Sequence, residues 1–236
     1  CSDCWGYSRK KSFNEGLNNL TFRATGFLGN TNYITKTFTI DSKKPGISRT
    51  EPRRNTFASG LFEVQFKEDN PQSLELYYGD INPGIRKFAL NIETDCQIER
   101  GKYYCEIEVP LEDYDGKEIE YKFELKDIAG NTDESKPTKV KVDTTFPNVT
   151  DITDYDVDGN YIYFNMNIIE DNFNEATYSY FDSRGNPKEG KICSRLKEGV
   201  CYAKKSFSRG HYDLTVQVKD DAGNSVGFPV SFDIDY

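Results

Sequence analysis

Along much of this 236-residue chain an apolar side chain occupies every second position. In "YKFELKD", Tyr121, Phe123 and Leu125 fall on one side of an extended backbone, with Lys122, Glu124 and Lys126 on the other. "LTVQVKD" repeats the arrangement with Leu214, Val216 and Val218, and "LTFRATG" with Leu20, Phe22 and Ala24. Further alternating runs are "LFEVQF" (Phe62, Val64, Phe66), "YFNMNI" (Phe164, Met166, Ile168) and "TKVKVD" (Val140, Val142). One apolar and one polar face at period two predicts antiparallel strands half-buried in sheets. No convincing run has the spacing of an amphipathic helix. The reading is all-β.

The runs are punctuated by a recurring phrase. "LKDIAGNT" at residues 125–132 returns as "VKDDAGNS" at 218–225 and, more loosely, as "ATGFLGNT" at 24–31. In each copy a glycine (Gly29, Gly130, Gly223) precedes an asparagine (Asn30, Asn131, Asn224) between two alternating runs. Glycine supplies a positive φ and asparagine tolerates one, so each phrase predicts the tip of a hairpin. The copies keep register. Asp127 lies 101 positions after Gly26, as Cys105 does after Cys4, while Pro147 and Asp171 lie 102 after Pro45 and Asp69. The strand endings "FTID", "VKVD" and "FDID" recur with them. A unit of roughly 100 residues is too long for a solenoid repeat and matches a small β-sandwich. Residues 1–44 then read as the tail of one unit, 45–144 as a whole unit and 145–236 as another.

About seven short strands per unit, a D-x-A-G-N hairpin and a "VDxxxP" exit resemble a known class. "KDIAGN…VKVDTTFP" and "KDDAGN…FDID" look like the tandem immunoglobulin-like (Ig-like) modules of bacterial and archaeal cell-surface proteins, including S-layer subunits, adhesins and large secreted repeat proteins. The resemblance implies end-to-end antiparallel Ig-like β-sandwiches forming a rod, with a partial unit at the N-terminal end. It implies work as a stalk, spacer, lattice or filament element, with neighbouring Ig-like domains of one parent protein as partners. The first copy departs from the pattern, with Gly26 in place of the Asp and Phe27-Leu28 in place of Ile-Ala.

Composition narrows the function further. With 39 acidic against 30 basic residues the net charge is −9, which argues against binding nucleic acid through its phosphates. Mean hydropathy is −0.73, and no run approaches the roughly 18 apolar residues of a spanning helix. There is no basic stretch leading into an apolar one, so no signal peptide is expected within these residues. Tyr and Phe number 16 each, which suits half-buried pleated surfaces. No G-x-S-x-G, H-E-x-x-H or phosphate-binding glycine loop is present. The single histidine, His211, sits at the turn entering a strand, so no catalytic residue is assigned and the chain is read as a non-enzyme.

Six cysteines form three close pairs, Cys1/Cys4, Cys96/Cys105 and Cys193/Cys201. One pair per unit, each close in sequence, predicts three local hairpin disulfides and an oxidising, extracellular setting. "CSDC" is also a C-x-x-C motif. Zinc needs four ligands and a lone His serves it poorly, while a redox pair or a lipid-modified Cys1 remain alternatives.

Acidic residues recur in register at the expected unit junctions. In a sandwich of this type the loop after the second strand, the last hairpin and the entering linker share one end. That groups Asp41, Glu68, Asp69, Asn70 and Asp127 for one junction, and Asp143, Glu170, Asp171, Asn172 and Asp220 for the next. Calcium takes six to eight oxygens, several from carboxylates, so Ca²⁺ stiffening the hinge is one expectation. Turn capping by the same Asp and Asn residues is the other. No other cofactor is expected. "NLT" at Asn19 and "NVT" at Asn148 are possible glycosylation acceptors.

The first 44 residues supply only the last strands of a sandwich and cannot by themselves cover Leu20, Phe22, Phe38 and Ile40. Beginning at Cys1 without a Met, the chain is expected to be an excerpt whose parent continues upstream. The alternative is head-to-tail self-association, in which a neighbouring molecule supplies strands by edge addition. Two functional rivals to a structural module stand: an adhesin binding a glycan or surface ligand through Tyr77, Tyr78, Tyr178 and Tyr180, and an accessory region of a larger secreted enzyme.

Overall fold

A computed structural model describes residues 8–80, 84–150 and 155–235. Cys1 and Cys4 lie outside the described residues. The alternating runs are strands throughout, and among the described residues the sole helical element is a 3₁₀ turn at Glu112–Tyr114.

The strands fall into three blocks. The first holds β1 (Gly16–Thr25) and β2 (Thr31–Ile40), a hairpin paired without a break from Gly16↔Ile40 to Thr25↔Thr31. The second opens with β3 (Gly46–Glu51), β4 (Phe57–Ala58), β5 (Leu61–Lys67), β6 (Pro71–Asp80) and β7 (Gly84–Leu90). It continues through β8 (Cys96–Glu99), β9 (Lys102–Glu108), β10 (Glu118–Asp127), β11 (Thr132–Glu134) and β12 (Thr138–Val142). The third starts with β13 (Asn148–Val149), β14 (Tyr155–Asp158), β15 (Tyr161–Ile169) and β16 (Phe173–Phe181). It closes with β17 (Pro187–Cys193), β18 (Val200–Ser206), β19 (Gly210–Asp220) and β20 (Ser225–Ile234).

Each of the later blocks is two sheets. In the second block β3-β5-β9-β8 faces β4-β12-β10-β6-β7, with β11 also on β10. In the third, β13 and β14 share one edge of β15 and β18 takes the other, opposite the sheet β17-β16-β19-β20. Pairing is antiparallel except for β4, which runs parallel to β12. Alternation then explains the cores: the inward residues of both sheets meet and the outward ones stay wet. One core gathers Phe62, Val64, Phe66, Leu74, Leu76, Tyr121, Phe123 and Leu125; the other gathers Ile162, Phe164, Met166, Leu214, Val216, Val218, Val230 and Phe232. Among the described residues no strand before Pro147 pairs with one after it. This is the architecture of tandem Ig-like β-sandwiches.

The disulfides correct one expectation. Cys96–Cys105 does link directly opposed residues of the β8–β9 hairpin. Cys193–Cys201 does not close a hairpin, because β17 and β18 belong to different sheets. It crosses the sandwich at the point where the chain changes layers. Closeness in sequence reported the bond and not its geometry.

Candidate metal centre at the block junctions

The D-x-A-G-N phrase folds the same way wherever it occurs. Asp127 N–H donates to the Asn131 carbonyl (3.0 Å) and Gly130 N–H to the Asp127 carbonyl (3.2 Å). Asp220, Asn224 and Gly223 repeat this at 3.1 and 3.4 Å, and Gly26, Asn30 and Gly29 at 2.7 and 2.9 Å. Gly29, Gly130 and Gly223 have φ of +83°, +89° and +98°, values that a side chain resists.

Where the Asp is present it braces the turn from within. Asp127 Oδ1 accepts the N–H groups of Ala129 and Asn131, while Oδ2 accepts the Asn131 side-chain amide at 2.7 Å. Asp220 takes the Asn224 N–H and side-chain amide, both at 2.8 Å. The same asparagine amide reaches outward to the strand that ended the preceding block. Asn131 Nδ2 donates to the carbonyls of Asp41 (3.3 Å) and Lys43 (3.4 Å), and Asn224 Nδ2 to that of Asp143 (3.0 Å). Ser59 adds a contact across the second junction, its hydroxyl donating to the Ala222 carbonyl at 2.9 Å. The sequence reading assigned Asn131 and Asn224 to turn formation alone; in the fold they also hold the linker.

Around each latch three carboxylates converge. Asp41, Glu68 and Asp127 each place an oxygen within 4.8 Å of the others, and so do Asp143, Glu170 and Asp220. One carboxylate comes from the linker, one from the loop after β5 or β15, and one from the hairpin tip. Asp127 and Asp220 are fully buried and Glu68 nearly so. Among the described residues none of the six forms an ion pair with Lys, Arg or His. Asp69 and Asp171 are exposed and stand outside both groups. Each follows its glutamate by one residue in the same loop.

The two centres differ in how their charge is held. Burial works to raise the Asp127 carboxyl, yet the Asn131 side chain and three turn N–H groups outweigh it and keep the group below its ordinary range. At Asp220 burial wins, and the charge of Asp143 adds to the rise. Burial likewise pushes Glu170 up, with Asp143 and Asp220 contributing. The asparagines beside the glutamates differ too. Asn70 Nδ2 reaches Asp41 at 3.3 Å. Asn172, 8% exposed, has neither its side-chain oxygen nor its nitrogen hydrogen-bonded. It lines a cleft with Asp143, Glu170 and Asp171. A buried amide without partners costs about 1–3 kcal/mol, so its presence there is itself a question. Three carboxylates and an orphaned amide oxygen fit a hard divalent cation.

The other sequence candidates are placed less tightly. Asn19 and Asn148 are both exposed, and Asn19 accepts a hydrogen bond from the Thr37 hydroxyl at 2.6 Å. His211 is exposed between Asp233 (2.8 Å) and Asp213 (3.4 Å). The four tyrosines do not assemble into one platform. Tyr78 is buried, Tyr178 and Tyr180 stack on each other and meet Phe207 at a tilt on the third block's core, and Tyr77 lies on an outer face under Lys87 and Lys122.

The sequence matches no family model and no curated protein. Among solved structures the chain is similar to the FN1-FN3 domains of chicken CNTN1, with 11% identity over 92% of this chain and 78% of that one and a TM-score of 0.49. It is similar to the fibronectin(III)-like modules of Clostridium thermocellum CbhA, with 13% identity over 81% and 94% of the two chains and a TM-score of 0.41. A tetra-tandem repeat from the extending region of a large adhesion protein matches at 15% identity, over 94% of this chain and 57% of that one, with a TM-score of 0.36. These are likenesses of strand arrangement.

Proposed function

We propose that the chain is a non-catalytic structural module of an extracellular protein, a spacer whose blocks 45–144 and 145–236 are successive Ig-like domains after a partial unit at 1–44. Its junctions bind calcium, which holds each block at a fixed angle to the next. The single observation that carries this reading is the junction itself: the same carboxylate trio and the same asparagine-to-linker hydrogen bond recur about one block apart. Turn capping accounts for the hairpin Asp. It does not account for the linker Asp and loop Glu crowding against it with no Lys, Arg or His paired to them among the described residues. The two disulfides among the described residues agree with an oxidising compartment.

Thermal unfolding of the full chain in calcium and in EDTA tests the reading. Calcium at ten times its Kd stabilises by about 1.4 kcal/mol, which for blocks of this size raises Tm by roughly 5–10 °C. Glu68→Gln and Glu170→Gln should each remove part of that rise, and magnesium at the same concentration should reproduce little of it. Superimposable melts in calcium and EDTA overturn the calcium assignment.

A further inference from the structure

Asn70 and Asn172 each stand two residues after the glutamate of a carboxylate trio, at the same place in register. Their side chains are spent differently. Asn70 turns its amide nitrogen to the trio beside it, donating to Asp41 Oδ2 at 3.3 Å. Asn172 is 8% exposed, and neither its side-chain oxygen nor its nitrogen has a hydrogen-bond partner. Buried polar groups are nearly always paired, so an orphan marks a place where something else belongs. With Asp143 and Glu170 it lines a cleft of about 520 Å³, which Phe57, Phe146 and Ile169 share.

We propose that the two junctions hold calcium unequally: the second is the tight site, with Asn172 Oδ1 as a fourth protein ligand beside Asp143, Glu170 and Asp220, and the first is the weak one. This order rests on the calcium reading of the junctions and makes Asn172 the residue that sets it. The two amides give the first reason. Calcium coordinates oxygen and not an amide nitrogen. For Asn70 to serve, its bond to Asp41 must break and the amide turn over, whereas Asn172 has no side-chain bond to lose.

The hairpin aspartates give the second reason. A carboxylate offers about four lone-pair positions. Asp127 and Asp220 both accept the backbone N–H and the side-chain amide of their turn asparagine. Asp127 accepts the Ala129 N–H as well, at 2.9 Å, a bond with no counterpart at Asp220 among the described residues, so Asp220 has more left for a cation. Neighbouring charge gives the third. Lys44 and Lys67 stand 102 positions before Phe146 and Ile169, and Lys67 directly precedes Glu68. An ammonium close to a bound cation repels it. Phe146 and Ile169 carry no charge, and the apolar wall they give the cleft strengthens the pull of the carboxylates by displacing water.

The test is a calorimetric calcium titration of the full chain after stripping with EDTA, beside thermal melts. Two classes of site should appear, separated by about tenfold or more in Kd. Asn172→Leu keeps the shape and drops both polar atoms. It should weaken the tight class by about tenfold or more. It should also raise Tm in EDTA by several degrees, because the cost of the orphaned amide goes with it. Asn172→Asp keeps an oxygen in place and should keep the tight class. Asn70→Leu should lower Tm in EDTA through the lost bond to Asp41 and leave the tight class as it was. Two sites of equal affinity overturn the proposal and leave the calcium reading standing. So does a tight class that survives Asn172→Leu, or one that Asn70→Leu removes. A lower Tm for Asn172→Leu in EDTA shows the amide to be partnered in solution and overturns it as well. Calcium that gives neither heat nor a shift in melting overturns both the order and the reading beneath it.

Discussion

The hairpin of residues 16–40 and the hairpin of residues 210–234 share their plan and differ in what surrounds them. Each has two strands of ten or eleven residues, an unbroken antiparallel register and the same five-residue tip. In the later hairpin Leu214, Val216, Val218, Phe228, Val230, Phe232 and Ile234 are buried; in the earlier one no large apolar residue is. Full burial is worth about 1.5–3 kcal/mol per such side chain, and an isolated two-stranded hairpin is marginal in water. The tip and the alternation write the hairpin; strands distant in sequence stabilise it. Local code and global stability are thus separable within one chain.

The sharpest way to break the comparison is to cut the same residue in both settings. Phe123→Ala removes a fully buried ring from the second core and should cost about 3–5 kcal/mol. Phe22→Ala, one block earlier, should change the stability of the remaining chain by no more than about 0.5 kcal/mol. Urea unfolding followed by tyrosine fluorescence measures both. Equal losses would show that the first hairpin is buried in solution and that its bare face is not free.

A middle-sized effect separates turn from latch. Asp182 and Asn186 form a fourth turn of the same kind, with Asp182 N–H donating to the Asn186 carbonyl at 2.9 Å and Gly185 N–H to the Asp182 carbonyl at 2.8 Å. Among the described residues the Asn186 side chain bonds only to its own Asp. Asn224→Ala strips donors from buried Asp220 and from the Asp143 carbonyl and should cost about 1–3 kcal/mol. Asn186→Ala, exposed and backed by the Asp182 backbone bonds, should stay within about 0.5 kcal/mol. Matching urea midpoints for the two variants would reduce the junction asparagine to a turn residue.

That fourth turn marks where the sequence was legible and where it was not. Strands were readable because period two needs only local residues, and the three tips were readable because Gly and Asn flanked clean alternation. "DSRGN" is not legible as a tip because the strand after it, "PKEGKIC", is too polar to alternate. The parallel β4–β12 pair and the inter-sheet Cys193–Cys201 bond depend on which layer the chain has reached, and no window of residues reports that. At the junction the acidic residues were found by register. Their sorting was not: Glu68 and Glu170 join the carboxylate trios while Asp69 and Asp171, one residue on, are exposed and stand outside them. The Asn latch was hidden because its acceptors are backbone carbonyls, which every residue has.

The smallest effect concerns the open ends of the two hairpins. In the later one His211 pairs across with Asp233, their side chains 2.8 Å apart. At the same place in the earlier hairpin stand Leu17 and Thr39, neither of which titrates. The Asp233 hydrogen bond, aided by the charges of Asp213 and Asp233, raises the His211 pKa above its ordinary value. The sign follows from linkage: a proton held more tightly in the folded state stabilises it. The contribution is complete below the unfolded histidine's pKa and disappears as pH climbs past the raised folded value. Both groups are exposed, so salt should shrink the effect. As the chain's one histidine, His211 gives a single imidazole resonance to titrate by NMR. Asp233→Asn should bring its midpoint down, and amide exchange at the ends of β19 and β20 should quicken as pH rises through the wild-type midpoint, beyond the intrinsic rate. The ends of β1 and β2 should show no such step. A step of equal size in both hairpins would place its origin outside the His211–Asp233 pair.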